Sequence, residues 1–423
     1  MAAGTSRFGG VPAPAGCPGA IDGCKSRIGT APYHRPPCRH VGACKTTPSV
    51  HIADITMFYA PNSGGVRTYL TQKQAYLATH PGIRHSLLVP GKSAARHGSV
   101  YTLPAPPIDR TGYRAPIRGK RWTQTLCELQ PDLIEAGDPY RLAWVALEAG
   151  QRLGVPVLGF YHSDLPRLLE NRFGTAARRL GERYVRRLYT RFTEVLAPSR
   201  VMARQLNALG VDRVTVQPLG VDTRVFHPDR ADAGLRRRLG VAADTRLLVF
   251  AGRAAREKNI PLLIDTARAL GAGYHLLLIG PGMPRSGAAN VTVLDCFMPS
   301  DALAGTLAAC DALIHAGDNE TFGLVVLEAM ASGLPVIGMR AGALPELVVP
   351  GTGVLTADIS RDGLVEATRT LFSLDPKSIG RHARRRVEER YAWDQTLAGL
   401  VAHYRRVCGQ DGAQRAGTSH ATP

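Results

Sequence analysis

Two carboxylates eight positions apart, Glu320 and Glu328, carry the strongest chemical signal in this chain. Thr321-Phe322-Gly323-Leu324 and a strongly apolar stretch lie between them, and Ser332-Gly333-Leu334-Pro335 closes the segment. Eight residues of helix rise about 12 Å, roughly the length of a sugar, a diphosphate and a ribose end to end. One acid can hold hydroxyls at one end of such a ligand and the second at the other. A helix N-terminus between them, near Phe322, Gly323 and Leu324, offers free N–H groups to the phosphates. Upstream, Arg253 and Lys258 sit in Gly252-Arg253-Ala254-Ala255-Arg256-Glu257-Lys258-Asn259. A diphosphate leaving group gains negative charge as its glycosidic bond breaks. Two fixed cations there stabilise the transition state more than the ground state.

These residues need elements to hold them. Arg246–Phe250 reads as a buried strand, Ile260–Leu270 as a helix and Tyr274–Ile279 as a strand, so Arg253 and Lys258 fall in a strand-to-helix loop. Ala312–His315 and Pro335–Gly338 continue that sheet. An earlier set has the same alternation. Val50–Phe58, His85–Pro90, Asp132–Glu135 and Pro156–Phe160 are strand-like, with helical stretches around Tyr69–Ala75 and Leu142–Leu153 between them. The pattern predicts two parallel, doubly wound sheets joined near Val221, with ligands at the carboxyl ends of the strands. His162, in Tyr161-His162-Ser163-Asp164, then lies at such an end. Gly64-Gly65 follows the first strand and opens a helix, where glycines let backbone approach a phosphate or sugar closely. The expected boundaries are an N-terminal half over 49–221, completed by a helix near 392–408, and a C-terminal half over 222–391. Residues 1–48 and 409–423 are expected to be disordered.

The segment from Glu320 to Glu328 resembles the E-x7-E element of family 4 retaining glycosyltransferases, and the resemblance runs from about Val50 to about Tyr404. Gly252-Arg253…Lys258 is similar to that family's G-R-x4-K-G element, with Asn259 where the last glycine stands. Gly64-Gly65 matches its glycine-rich loop, His162-Ser163-Asp164 its H-x-D context, Ala197-Pro198-Ser199 its helix-capping element, and Tyr391–Asp394 its final crossover. The resemblance implies a GT-B fold and transfer of a hexose from a nucleotide sugar to a hydroxyl of a lipid, glycan or small molecule. Configuration is retained and no metal is needed. By the same resemblance, Glu320, Lys258, Arg253 and His162 are the catalytic candidates. Gly64, Gly65, Phe322, Gly323, Leu324 and Glu328 are the donor-binding ones, with Glu328 on the ribose. The opening around Gly64–Tyr69 favours GDP-mannose over UDP-sugars. A sugar-nucleotide epimerase of the same fold and a basic nucleic-acid-binding protein are the rival readings.

The chain has 423 residues and a net charge of +18, of which the first 48 residues carry +5. A basic body suggests acidic partners: phosphate-bearing substrates or anionic lipid. No module for nucleic-acid readout is present, so no nucleic-acid partner is expected. Between Arg172 and Arg191, Phe173, Ala177, Leu180, Tyr184 and Leu188 share one helical face and arginines gather beside it. That pattern fits a core-facing stripe whose basic flank could meet an anionic membrane surface. No apolar run approaches the ~20 residues that span a bilayer, and the first thirty residues lack a signal core. The expected location is the cytoplasm, with the inner face of its membrane as the surface reached. Cys17, Cys24, Cys38 and Cys44 crowd the N-terminus with His34 and His40 but lack paired C-x2-C spacing, so no metal is expected there. Cys127, Cys296, Cys310 and Cys408 have apolar neighbours and are expected to be buried thiols.

Overall fold

A computed structural model describes residues 49–60, 64–108 and 112–409. Residues 1–48, with their cysteines and histidines, and 410–423 lie outside the described residues.

Fourteen strands form two sheets among the described residues. The first sheet uses β1 (Val50–Ile55), β2 (Ile83–Gly91), β3 (Ala95–His97), β4 (Val100–Pro104), β5 (Leu133–Ala136), β6 (Val157–Phe160), β7 (Glu194–Ala197) and β8 (Val214–Val216). Its order is β3-β4-β2-β1-β5-β6-β7-β8, and only the β3–β4 edge pair is antiparallel. The second sheet is all parallel. It uses β9 (Arg246–Ala251), β10 (Tyr274–Ile279), β11 (Val291–Leu294), β12 (Ala312–His315), β13 (Val336–Met339) and β14 (Gly353–Thr356), in the order β11-β10-β9-β12-β13-β14. Central strands are buried because helices cover both faces. β1 and β5 are buried along their whole length, and β12 and β13 likewise.

The two halves are joined twice. The chain leaves the first sheet through Gln217–Val221 and returns at Ala392, where Val221 and Ala392 form an isolated parallel bridge. The Val221 N–H donates to the Tyr391 carbonyl at 2.8 Å. Gly220 allows this crossing, because a Cβ there would lie 2.7 Å from the Trp393 ring. The last helix, Trp393–Val407, then packs on helix Gly65–Ala78 of the first half, with Trp393 buried.

A buried charge cluster lies under that contact. The register sets Asp54 of β1 directly beside Glu135 of β5, and adjacent like charges repel. Lys73, on the buried face of helix Gly65–Ala78, answers both, at 2.7 Å from Asp54 and 3.0 Å from Glu135. His85 meets Asp54 at 2.8 Å. Tyr69 donates to Glu135 at 3.1 Å, and Tyr404 of the last helix donates to its other oxygen. Burial pushes the Lys73 ammonium towards neutrality, but the two carboxylates hold its pKa above the usual lysine value.

Two expectations are corrected here. The stripe expected to face the core between Arg172 and Arg191 does not do so as a unit. Gly174, at φ +84°, ends helix Leu165–Phe173 before helix Thr175–Tyr189 begins. The second helix packs through Gly181, where a Cβ would come within 2.9–3.0 Å of Leu169 and Pro166. The buried face is therefore Gly181, Val185, Leu188 and Tyr189, leaving Phe173 and Leu180 69% and 63% exposed. Of the four cysteines expected inside, Cys310 is buried and Cys127 and Cys408 are half-buried, but Cys296 is exposed in the loop after β11.

Candidate active site

Glu320 is positioned by two loops of the second sheet. β12 ends at His315, and the Gly317 N–H donates to His315 Nδ1 at 3.1 Å. A Cβ on Gly317 would lie 2.5 Å from the His315 ring, so the tight turn needs glycine. With Nδ1 accepting, the proton sits on Nε2, which faces Glu320 Oε2 at 3.2 Å. After β13, Gly342 at φ +55° brings the chain back against Glu320. A Cβ there would be 2.7 Å from the Glu320 backbone, and the Ala343 N–H donates to the Glu320 carbonyl at 2.8 Å.

Lys258 arrives from the loop after β9. A short 3-10 turn, Arg256–Lys258, carries it, and Asn259 follows at φ +50°. Asparagine is among the side chains that tolerate this left-handed conformation, so it can stand where the family pattern has glycine. Its Nδ2 also donates to the Ala316 carbonyl at 2.9 Å, tying the β9 loop to the β12 loop. The Lys258 ammonium donates to the Glu320 carboxylate. Burial pushes the Glu320 pKa up, but the Lys258 charge and the adjacent His315 imidazole outweigh it and hold it down at about 2. Burial keeps the His315 imidazole below its usual range. The cluster is thus an ionised carboxylate between an ammonium and a neutral imidazole. Arg253 is exposed in the same loop.

Helix Leu324–Ala331 begins four residues after Glu320, preceded by Gly323 at φ +99°. The 12 Å helical spacing expected between Glu320 and Glu328 is therefore corrected: Glu320 stands in the loop, and only the Glu328 end is helical. No side chain caps this helix, so its first N–H groups are left to face an anion. Phe322 is buried edge-on to Tyr391, at 6.2 Å between ring centres. Glu328 is half-buried in the helix, and loss of water raises its carboxyl to about 7.

The first half approaches the same loop. His162, just past β6, stacks on Phe160 at 4.0 Å and 8° and lies 5.3 Å from the Tyr69 ring. Its Nε2 is buried without a hydrogen-bond partner, and burial lowers its pKa to about 3. Thr321, next to Glu320, donates its hydroxyl to the His162 carbonyl at 3.4 Å. Ser199 donates to the Thr321 carbonyl at 2.9 Å. Gly64 caps helix Gly65–Ala78, and a Cβ on Gly65 would lie 2.8 Å from Leu324 Cδ1. Gly64, Gly65, His162, Phe322, Gly323 and Leu324 therefore line one meeting place of the two halves. Asp164 instead caps helix Leu165–Phe173, accepting from the Arg167 N–H at 3.2 Å. His315 was not anticipated. Its signal was a histidine at the carboxyl end of a buried strand.

Comparison with known proteins gives the family of the chain. Residues 63–225 match the family described as Glycosyltransferase Family 4, and residues 245–373 match Glycosyl transferases group 1. A GDP-mannose-dependent alpha-(1-6)-phosphatidylinositol dimannoside mannosyltransferase of Mycobacterium tuberculosis is 32% identical over 374 residues, covering 84% of this chain and 95% of that protein. The chain belongs to the group 1 glycosyltransferases. A GDP-mannose-dependent alpha-mannosyltransferase of Mycolicibacterium smegmatis is 33% identical over 285 residues, covering 66% of this chain and 75% of that protein. In fold, the chain is similar to sucrose-phosphate synthase from Thermosynechococcus elongatus (TM-score 0.72, 22% identity, 85% of this chain and 99% of that one). The architecture is GT-B, and the glycosyltransferase reading holds over the epimerase and nucleic-acid alternatives. The donor is a nucleotide sugar. No cluster of side chains suited to a metal ion is present among the described residues.

Proposed function

We propose that this glycosyltransferase moves mannose from GDP-mannose, with retention of configuration and without a metal ion, to a hydroxyl of a polar lipid at an anionic membrane surface. The observation that carries the chemistry is Glu320, held ionised by Lys258 and His315 beside an uncapped helix N-terminus. The activities of the two relatives, both GDP-mannose-dependent, support the donor.

In this reading the diphosphate lies against the N–H groups of Leu324 and Val325 and recruits Arg253 and Lys258. Lys258 exchanges part of its hold on Glu320 for the phosphate. Glu320 is then freed to accept hydrogen bonds from mannose hydroxyls. Glu328 accepts from the ribose. The bond between the anomeric carbon and the phosphate oxygen breaks, with its electron pair going to the phosphate. The acceptor oxygen bonds to that carbon on the same face, and its proton passes to the departing phosphate. The products are GDP and the mannosylated acceptor. His162, neutral and desolvated, shapes the wall against which the positive charge of the sugar develops.

The lipid surface is read from helices Leu165–Phe173 and Thr175–Tyr189. Exposed Leu168, Phe173 and Leu180 stand among Arg172, Arg179 and Arg183. Apolar side chains set in a basic surface suit insertion between anionic headgroups. Among the described residues, no helix is long and apolar enough to cross a membrane.

Calorimetry with GDP-mannose and UDP-glucose, on wild type and Glu328→Ala, tests the donor. Binding of GDP-mannose alone, weakened in the variant, is expected, and equal binding of both donors overturns the assignment. Sedimentation with phosphatidylglycerol vesicles tests the surface. Loss of co-sedimentation in Phe173→Ser/Leu180→Ser is expected, and unchanged sedimentation rules the patch out.

A further inference from the structure

We propose that Glu346 is a positioning residue for transfer, acting across the cleft through the N-terminus of helix Arg200–Ala208. Glu346 belongs to the second half, in the short helix Leu344–Leu347 after β13. Its carboxylate accepts the Arg200 N–H at 2.8 Å on one oxygen and the Val201 N–H at 2.7 Å on the other. Those are the first two N–H groups of a helix in the first half, which have no acceptor inside their own helix. A carboxylate there is also favoured by the helix dipole.

The same helix end holds the donor loop. Ser199, the capping residue and 2% exposed, accepts from the Met202 N–H at 3.3 Å while donating to the Thr321 carbonyl. Thr321 in turn reaches the His162 carbonyl. One helix terminus therefore grips the second half at two points, Glu346 and Thr321, with Glu320 adjoining the latter. Glu346 is itself held from behind. Arg386 donates to the Glu346 and Leu347 carbonyls at 3.0 Å each, and the Tyr391 hydroxyl stands 3.5 Å from the Glu346 carbonyl. Tyr391 is the residue whose backbone pairs with Val221 at the crossover. The Glu346 grip thus connects the hinge to the loop that carries Glu320. Without it, the loop keeps its bonds to Lys258 and His315 but loses its fixed place opposite His162.

The test uses the full chain, with and without GDP, as wild type, Glu346→Ala and Arg200→Pro. Proline at the first helical position keeps the helix and deletes one N–H that Glu346 accepts. The extended Ser199 backbone also suits a following proline. Amide exchange over residues 320–324 is expected to quicken about tenfold in both variants, on the scale of one charge-assisted hydrogen bond. The radius of gyration is expected to rise. The kcat for GDP release from GDP-mannose falls about tenfold with little change in KM, and Glu346→Gln recovers part of it. Faster exchange confined to Arg200–Ala203, with residues 320–324, radius and kcat unchanged, reduces Glu346 to a helix cap and overturns the proposal. The kinetic arm rests on the transfer reaction proposed above. Absence of GDP release by wild type counts against that reaction, while exchange and scattering still decide the latch. Should Glu346→Ala not fold, Arg200→Pro decides it.

Discussion

Two lysine–carboxylate–histidine clusters stand among the described residues, and water separates their roles. In the first half, Lys73, Asp54, Glu135 and His85 are sealed under helix Gly65–Ala78, with Lys73 0% exposed and both acids 2%. Tyr69 and Tyr404 occupy oxygens of Glu135 as well. In the second half, Lys258 and Glu320 are 20% and 13% exposed, and the neighbouring helix end is uncapped. The same residue types make a clamp in one place and a site in the other. A closed cluster whose charges all have partners can only hold elements together. An open one can exchange partners with a ligand.

Breaking each cluster should therefore fail differently. Glu320→Ala is expected to lower GDP release from GDP-mannose by about 10²–10³-fold, the usual cost of removing one preorganised group at a reacting centre. The protein should stay folded by circular dichroism, because Lys258 retains a route to water. Near-wild-type turnover would end the assignment of Glu320. Lys73→Ala is expected to act on stability instead. It leaves two buried acids without their cation, at about 3–5 kcal/mol, measured by urea denaturation. An unfolding free energy within 0.5 kcal/mol of wild type, a bound set by ordinary surface changes, would mean the cluster clamps nothing.

The contrast also sets what could be read in advance. Strands such as Tyr274–Ile279 and Ala312–His315 announced themselves as apolar runs because both faces of their sheet are covered. β3, β4, β8 and β14 did not, since they lie at or near sheet edges and are mostly half-exposed. Glu320 and Lys258 stood out through their local spacing. Their mutual bond, and the part of His315, depend on three strand ends meeting in space, which no local pattern encodes. Glu346 was invisible for the same reason, with partners 146 and 145 positions away. Leu180 and Phe173 were misread because helical periodicity was extended through Gly174.

The two acids of the open site should also separate by pH. Glu320 has its folded pKa lowered from 4.5 to about 2. The stability it contributes is present above 4.5 and is lost as pH falls through about 2. Glu328 has its folded pKa raised from 4.5 to about 7. Below 4.5 the carboxyl is protonated in both states and costs nothing. Between 4.5 and 7 the unfolded chain releases the proton and the folded one keeps it, so the penalty grows, and it is complete above about 7. Glu328→Gln should therefore stabilise the protein at pH 8, by on the order of 1–3 kcal/mol, and leave it unchanged at pH 4. Equal thermal shifts at both pH values would show that Glu328 ionises freely in the folded chain.

The smallest expected effect falls on the residue that departs from the family pattern. Asn259 holds φ +50° and donates to the Ala316 carbonyl, joining the Lys258 loop to the Glu320 loop. Backbone conformation and hydrogen bond are separable by substitution. Glycine keeps the conformation without strain and loses the bond, whereas alanine loses both. Asn259→Gly should cost about 0.5–1.5 kcal/mol for the hydrogen bond, and Asn259→Ala about 1–2 kcal/mol more for the left-handed backbone. If the open site tolerates exchange of partners, kcat for GDP release in Asn259→Gly should stay within about threefold of wild type, since Lys258 still has Glu320 to hold it. A much larger kinetic loss with little change in stability would mean that the Asn259 stitch, rather than the Lys258–Glu320 pair, sets the geometry of the donor side.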